Sequence, residues 1–214
     1  VAMLATWGAD QWVYVRGALW GEAVPTEPWR LITGAFLHAN DIPFGFLHLA
    51  MNMYFIWILG QMLERALGRV QFAALYAAAL AGGSLGVVLL DPGTFTVGAS
   101  GAAYGLMGAA IVLARARNID LMRSGLVSTL GINLLITFAV PGISIGGHLG
   151  GLVAGALAGL VLIEGPKRIR ANGTTPATAA TVVLAVVLLV VAYLLMTGEY
   201  ADFRFIYRGD EVLT

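Results

Sequence analysis

Long apolar segments separated by short polar loops dominate the pattern of this chain. Pairs of proline and glycine lie in three of the connections, at residues 92–93, 141–142 and 165–166, as helix breakers do. The pattern predicts an all-α fold, a polytopic transmembrane helical bundle. Six helices, each near the length that a bilayer core requires, are predicted at residues 47–65, 72–90, 100–116, 123–140, 147–164 and 177–197.

The beginning of the chain lacks such a segment. Charged residues interrupt its apolar positions, so we interpret residues 1–30 as the remnant of a first helix or as an external loop. Amphipathic residues follow at 31–47, and because Pro28 and Pro43 flank them we expect a folded loop at the membrane interface. The chain begins with Val1 and shows no signal peptide, and we expect it to be part of a longer protein.

Composition narrows the class of protein. Of the 214 residues, 59% are hydrophobic and 11% are charged, whereas soluble domains have about 25% charged residues. We therefore expect an integral membrane protein with one helical bundle. A formal net charge of zero argues against nucleic-acid binding. The absence of cysteine excludes disulfides, thiolate catalysis and cysteine metal sites.

The basic residues predict the orientation of the helices. The loops at residues 91–99 and 141–146 contain no Lys or Arg, and the positive-inside rule assigns such loops to the outer face. Ser100 and His148 then both begin helices at that face, at the same depth. The basic residues follow the first, third and fifth predicted helices, at Arg65, Arg69, Arg115, Arg117, Arg123, Lys167, Arg168 and Arg170.

Many of the 28 glycines recur every four residues. Such small-xxx-small strips let helices approach closely in lipid. Packing alone would explain them, but close approach is also what a hydrogen bond between Ser100 and His148 requires. The two strips are Gly101 and Gly105 in one helix, and Gly147, Gly151, Gly155 and Gly159 in another.

Two residues are candidates for nucleophilic chemistry. Ser100 lies among glycines at the start of an apolar helix, and a structural N-cap is the alternative role. His148 is an ionisable group at the start of an apolar span, where such groups are costly and usually functional; its alternative role is a structural hydrogen bond. Together they have the composition of a serine nucleophile and its base.

A second polar pair is His48 and Asn52, which share one helix face at spacing i, i+4. Two donors directed at one point are what an oxyanion hole needs. A polar seam between two helices is the alternative. Asn133 and Ser84 are predicted to serve helix packing only.

We expect no metal and no cofactor. His38 brings the histidines to three, but no H-E-x-x-H pattern occurs. An aspartyl protease is not expected, because no pair of aspartates lies within the predicted spans; Asp91, for example, is in a loop.

Four motifs occur together in the order seen in rhomboid intramembrane serine proteases, which the chain resembles from about residue 27 to 165. The resemblance implies that Ser100 is the nucleophile and His148 the general base. It also implies that His48, Asn52 and the Ser100 backbone N–H stabilise the oxyanion. The motifs are Trp29-Arg30, His48-x-x-x-Asn52, Gly98-Ala99-Ser100-Gly101 with Tyr104 and Gly105, and Gly147-His148-x-x-Gly151.

The resemblance assigns supporting roles as well. Tyr104 and Gly101 would support the dyad, with Tyr104 packing against the histidine ring, and Trp29 and Arg30 would shape the first loop. Residues 41–45 look like a local elongation of that loop.

The resemblance also divides the chain. Residues 31–165 would form the protease core, and the first helix of the family would be missing or truncated. Residues 166–176 would be a cytoplasmic linker, 177–197 an additional transmembrane helix and 198–214 an external polar tail.

The implied function is cleavage of transmembrane protein substrates in the lipid bilayer, near its outer face. We expect a bacterial cytoplasmic (inner) membrane, with no nucleic-acid or metal partner. The alternative is a non-catalytic scaffold or transporter with the same architecture.

Overall fold

A computed structural model describes residues 11–38, 44–165 and 175–198 of the chain. The first part of the predicted external segment, most of the predicted linker at 166–176 and nearly all of the predicted tail at 198–214 lie outside the described residues.

The described part of the chain is a bundle of helices. Two 3₁₀ turns, Gly21–Ala23 and Gly34–Phe36, lie in its first loop. The α-helices are α1 (Gln11–Gly17), α2 (Arg30–Thr33), α3 (Phe44–Leu67), α4 (Arg69–Leu90), α5 (Ser100–Ala116), α6 (Leu126–Ala139), α7 (Ile145–Ile163) and α8 (Thr175–Thr197).

The predicted helical bundle is confirmed, with α3 to α8 close to the six expected ranges. Four of these helices (α3, α4, α7 and α8) are long and apolar enough to cross a membrane, whereas α5 and α6 are shorter. Helix α3 begins at Phe44, so the end of the predicted loop at 31–47 is helical instead.

The prediction for α6 was too long at its start. The Asp120 carboxylate accepts hydrogen bonds from the backbone N–H groups of Met122 at 2.9 Å and Arg123 at 3.2 Å. These bonds hold residues 120–123, which precede α6, in a turn. Gly125 then adopts a φ of 77°, which favours glycine, and the helix begins at the next residue.

Helices α5 and α7 run parallel and touch along their glycines. A Cβ atom added at Gly151 would overlap the Gly101 carbonyl, and one added at Gly155 would overlap the Gly105 carbonyl. The residue numbers increase by four in both helices from the first contact to the second, so the two helices are parallel. The predicted glycine strips are therefore a contact surface, and they bring the first turns of α5 and α7 to one end of the bundle.

Helix α4 packs antiparallel against a neighbouring face of α7 and also touches α5, at Gly83 and Gly101. Gly86 lies against the Gly146 carbonyl, while Gly82, one turn earlier in α4, lies against Gly150, one turn later in α7. The peripheral helices instead expose large apolar side chains, such as Trp57 on α3, Leu135 on α6 and Val183 on α8. Exposed apolar faces on helices of this composition suit contact with lipid.

A buried arginine holds the first loop together. Arg30 is 3% exposed, and its guanidinium donates hydrogen bonds of 2.7 Å to the carbonyls of Val15 and Ala18. It also forms a salt bridge with Glu27. Because a buried charge is stable only when it is paired and hydrogen-bonded, this network makes residues 15–30 one folded unit.

The first loop is attached to the segment that precedes Ser100. Leu19 and Thr96 exchange two backbone hydrogen bonds of 2.9 and 2.8 Å, and the Gly98 N–H donates to the Gly34 carbonyl at 3.0 Å. From the other side, the Ser84 hydroxyl on α4 donates to the Leu31 carbonyl at 2.5 Å. Ser84 therefore binds a loop rather than only packing helices.

The glycine contacts predict a position-specific loss of stability. Replacing Gly155 with Ala should destabilise the bundle by about 1–3 kcal/mol, because the added methyl group forces α5 and α7 apart. Gly131 in α6 has nothing within 4 Å of an added Cβ, so Gly131→Ala should be neutral or stabilise by up to about 1 kcal/mol. Thermal unfolding in detergent compares the two. Equal melting temperatures for both variants would contradict the packing of α5 on α7.

Candidate active site

Ser100 is the first residue of α5, and the backbone before it is bent by Gly98. Gly98 has a φ of 123°, a conformation that L side chains rarely adopt. The N–H groups of the first helical turn have no partner within their own helix. The Ser100 backbone N–H is therefore at a helix start where it can donate to a group outside α5.

His148 lies in the first turn of α7, which is capped by two side chains. The Ser144 hydroxyl accepts a hydrogen bond from the Gly147 N–H at 2.9 Å. The Asp91 carboxylate at the end of α4 accepts from the Ser144 hydroxyl at 2.6 Å and from the Gly146 N–H at 3.1 Å. A carboxylate at a helix N-terminus is stabilising. Asp91, which looked like an ordinary loop residue, thus joins α4 to the helix that carries His148.

The His148 ring stacks on the Tyr104 ring. The ring centroids are 4.0 Å apart and the planes differ by 17°. Tyr104 is one helical turn after Ser100, so both residues lie on one face of α5. Gly151 faces Gly101 in the parallel pair. His148 is therefore on the Ser100 side of α5 and within about one turn of Ser100 in depth.

The hydrogen bond of His148 goes to a residue that the sequence did not single out. Its Nδ1 is 2.7 Å from the Thr137 hydroxyl oxygen. Within the described residues, no hydrogen bond joins Ser100 Oγ to His148, and no Asp or Glu is hydrogen-bonded to the ring. A threonine in α6 thus occupies the place next to the ring where a triad has its carboxylate.

His48 and Asn52 both lie against the backbone just before Ser100. A Cβ atom added at Gly98 would be 2.8 Å from His48 Cε1 and 3.6 Å from Asn52 Nδ2. Only glycine leaves room for both side chains at this point. The predicted polar pair and the Gly98-Ala99-Ser100 segment are therefore in direct contact.

His38 joins this group, although the sequence suggested only a rejected metal role for it. The Asn52 amide nitrogen is 2.7 Å from His38 Nε2, and the rings of His38 and His48 are 5.0 Å apart. An amide nitrogen has two hydrogens. Asn52 can therefore donate one to His38, which orients it, and still offer the other.

A small cavity lies beside Ser100, with a wall that is mostly apolar but includes several polar side chains. Its volume is about 40 Å³, enough for water, which needs about 10–15 Å³ by this kind of measure. Among the side chains that line it are those of Arg30, Ser84, Thr96, Ser100 and Ser144.

The remaining candidates lie around this cluster. Trp29 is about half exposed and donates from Nε1 to the Arg16 carbonyl at 3.2 Å, within the first loop. Gly101 packs against the Gly147 carbonyl. Asn133 donates to the Thr129 carbonyl of its own helix at 2.8 Å, so this hydrogen bond does not join two helices. The described residues contain no group of three or more His, Cys, Asp or Glu side chains that could hold a metal.

His38 should make stability depend on pH. Burial lowers the pKa of His38 from 6.5 to about 4, and the neighbouring His48 adds to the effect. The unfolded chain then binds one more proton than the folded chain between these values. Stability is therefore fully present above pH 6.5 and falls as the pH drops towards 4, by up to about 3 kcal/mol at about 1.36 kcal/mol per pKa unit.

Denaturant unfolding in detergent from pH 7 to 4 measures this loss, with His38→Gln as the comparison. Glutamine retains an acceptor for Asn52 but does not titrate in this range. The difference in unfolding free energy between wild type and variant should change with pH. Parallel curves for the two proteins would show that His38 is not the group responsible.

The chain is similar to proteins of one family. It matches the family model described as the rhomboid domain over residues 25–165. "RHOMBOID-like protein 6, mitochondrial" of Arabidopsis thaliana is 36% identical over 159 residues, which are 71% of this chain and 50% of that protein.

Two relatives are named as proteases. "Rhomboid protease GluP" of Bacillus subtilis is 35% identical over 139 residues, 64% of this chain and 26% of that protein. "Rhomboid-like protease 1" of Toxoplasma gondii is 36% identical over 143 residues, 63% of this chain and 47% of that protein. The chain thus spans half or less of the length of these three relatives. The matches support an intramembrane protease-type function, and the chain belongs to the rhomboid family.

Proposed function

We propose that the chain contains the catalytic core of an intramembrane serine endopeptidase that uses Ser100 and His148 as a dyad. The observation that carries the proposal is the stacking of the His148 ring on Tyr104, with ring centroids 4.0 Å apart. This contact supports a histidine on the same face of α5 as the candidate nucleophile, at the same end of the bundle.

The chemistry would follow the usual course of acyl transfer. Ser100 Oγ attacks the carbonyl carbon of the scissile peptide while its proton passes to His148. The C–N bond then breaks, and His148 gives the proton to the leaving amine. Water hydrolyses the acyl-enzyme with His148 again acting as the base. Ser100 has no side-chain hydrogen bond within the described residues, so no other contact needs to break before it can approach the imidazole.

The developing oxyanion requires donors that are already in place. His48 and Asn52 lie against Gly98, and the Ser100 backbone N–H is at the start of α5. All three candidate donors therefore lie close to the backbone of residues 98–100. The contact between Asn52 and His38 would keep the amide oriented before substrate arrives.

Hydrolysis inside a bilayer also needs water, which lipid excludes. The cavity beside Ser100 is large enough to hold water, and the hydroxyl groups in its wall could bind it. The Arg30-centred loop forms part of its wall and contains a buried, hydrogen-bonded guanidinium group. We propose that this loop keeps the catalytic end of the bundle accessible from the aqueous side.

The proposed substrate is a transmembrane protein, cut near the outer end of its helix. Arg115 and Arg117 lie at the end of α5 opposite to Ser100, and basic residues mark the cytoplasmic side. The catalytic end would then face outward. The bacterial cytoplasmic membrane stays a prediction, because the relatives include a bacterial and a plant mitochondrial protein.

The test is cleavage of a model transmembrane substrate by the purified protein, together with labelling by a fluorophosphonate probe. Ser100→Ala should abolish both, because the nucleophile is lost. His148→Ala should lower cleavage by about 10³-fold or more, and Asn52→Ala should lower kcat by about 10²–10³-fold.

Ser124→Ala is the matched control, because Ser124 is an exposed loop serine whose hydroxyl donates only to the nearby Leu121 carbonyl. It should leave cleavage and labelling unchanged. A folded wild-type protein that neither cleaves nor labels would favour the non-catalytic scaffold or transporter. Equal cleavage by wild type and His148→Ala would remove the proposed base.

A further inference from the structure

The Thr137 hydroxyl is the centre of a buried hydrogen-bond network behind the His148 ring. Thr137 is 2% exposed. Its Oγ1 lies 2.8 Å from the Asn133 carbonyl oxygen, 2.6 Å from the Tyr104 hydroxyl oxygen and 2.7 Å from His148 Nδ1. Three polar partners therefore surround one hydroxyl group that water does not reach.

The number of hydrogens decides the direction of each bond. A threonine hydroxyl has one hydrogen to donate and two lone pairs that accept. The Asn133 carbonyl can only accept, so the Thr137 hydrogen goes to it. The two remaining contacts must then be donated to Thr137, one by the Tyr104 O–H and one by the His148 Nδ1–H.

The opposite arrangement leaves an unfavourable contact. If Thr137 donated its hydrogen to His148 Nδ1, no hydrogen would lie between Thr137 Oγ1 and the Asn133 oxygen, which are 2.8 Å apart. These two oxygen atoms would then repel each other, although each would keep another hydrogen bond, from the Tyr104 O–H to Thr137 Oγ1 and from the Thr137 backbone N–H to the Asn133 carbonyl within the helix. The arrangement that avoids this repulsion, and in which all three contacts of Thr137 Oγ1 are hydrogen bonds, is the one in which Nδ1 carries the proton.

We propose that Thr137 is a positioning residue that fixes the neutral His148 ring as the Nδ1–H tautomer and leaves Nε2 unprotonated. This inference rests on the proposed function for its catalytic meaning, because Nε2 would then be the atom that takes the proton from Ser100. The tautomer itself follows from the hydrogen-bond network alone.

Thr137 and Tyr104 restrict the ring in two different ways. Tyr104 lies over the face of the imidazole, and Thr137 contacts one of its edges. Together they define the ring plane and its rotation within that plane. In serine proteases with a triad, a carboxylate next to Nδ1 holds the tautomer and the orientation. Here a neutral hydroxyl would do both.

Nitrogen NMR of the full chain, labelled with ¹⁵N-histidine and reconstituted in lipid, tests the tautomer directly. The spectra are recorded at a pH where the neutral ring is observed, and the His148 signals are assigned by their loss in His148→Ala. We expect Nδ1 of His148 to resonate in the protonated range and Nε2 in the unprotonated range. The reverse pattern in the wild-type protein would overturn the proposal without any variant.

Variants identify Thr137 as the cause. Thr137→Val has nearly the same shape without the hydroxyl, so the His148 signals should shift towards the other tautomer or a mixture. Thr137→Ser keeps the hydroxyl and should retain the wild-type pattern. Thr181→Val is the matched control, because Thr181 is also buried and its hydroxyl donates to the Ala177 carbonyl of its own helix. It should change nothing, whereas an unchanged spectrum in folded Thr137→Val would contradict the proposal.

The activity assay supplies an independent readout. Thr137→Val should lower kcat by about tenfold, as expected when one neutral hydrogen bond that orients the base is lost, with KM nearly unchanged. Thr137→Ser should recover most of the rate. If the wild-type protein does not cleave at all, the proposed function fails, but the NMR spectra still decide the tautomer. A rate loss in Thr137→Val that serine does not recover would contradict the role of the hydroxyl.

Discussion

The contact of backbone with backbone between α5 and α7 is the constraint on which the rest of the site depends. Gly101 and Gly105 meet Gly151 and Gly155 with no room for a Cβ atom. In lipid there is no hydrophobic driving force between two apolar helices, so their association depends on close van der Waals packing. The same contact fixes the relative depth of the two helices, and thereby the depth at which Ser100 and His148 lie.

The polar first loop depends on this core in turn. Its buried Arg30 orders residues 15–30, and backbone hydrogen bonds attach the loop to Thr96 and Gly98. The bend at Gly98 gives space to the His48 ring and directs the chain into α5. Groups that are too polar for hydrocarbon, such as Arg30, His48 and Asn52, are therefore gathered at one end of the bundle.

Much of this fold could be predicted from the sequence, because bilayer-length apolar runs and four-residue glycine repeats are local signals. The stacking partner Tyr104 also followed from the resemblance. Asp91 and Thr137 could not be found in the same way. A loop aspartate and a helical threonine are common, and each gains its role only from helices that are distant in sequence. The short start of α6 was missed because apolar residues continue on both sides of Gly125.

The medium offers a physical reason for a threonine rather than a carboxylate next to His148. Taking a carboxylate out of water costs several kcal/mol even after relaxation, and attraction to a neutral imidazole does not offset that cost. A hydroxyl network has no net charge, so it can be buried among apolar helices once its hydrogen bonds are complete. Thr137 meets this condition with three partners. The neutral Thr137 hydroxyl does not stabilise a protonated His148 ring as a carboxylate would. In the proposed reaction, stabilisation of the transition state would then depend more on the oxyanion donors around Gly98.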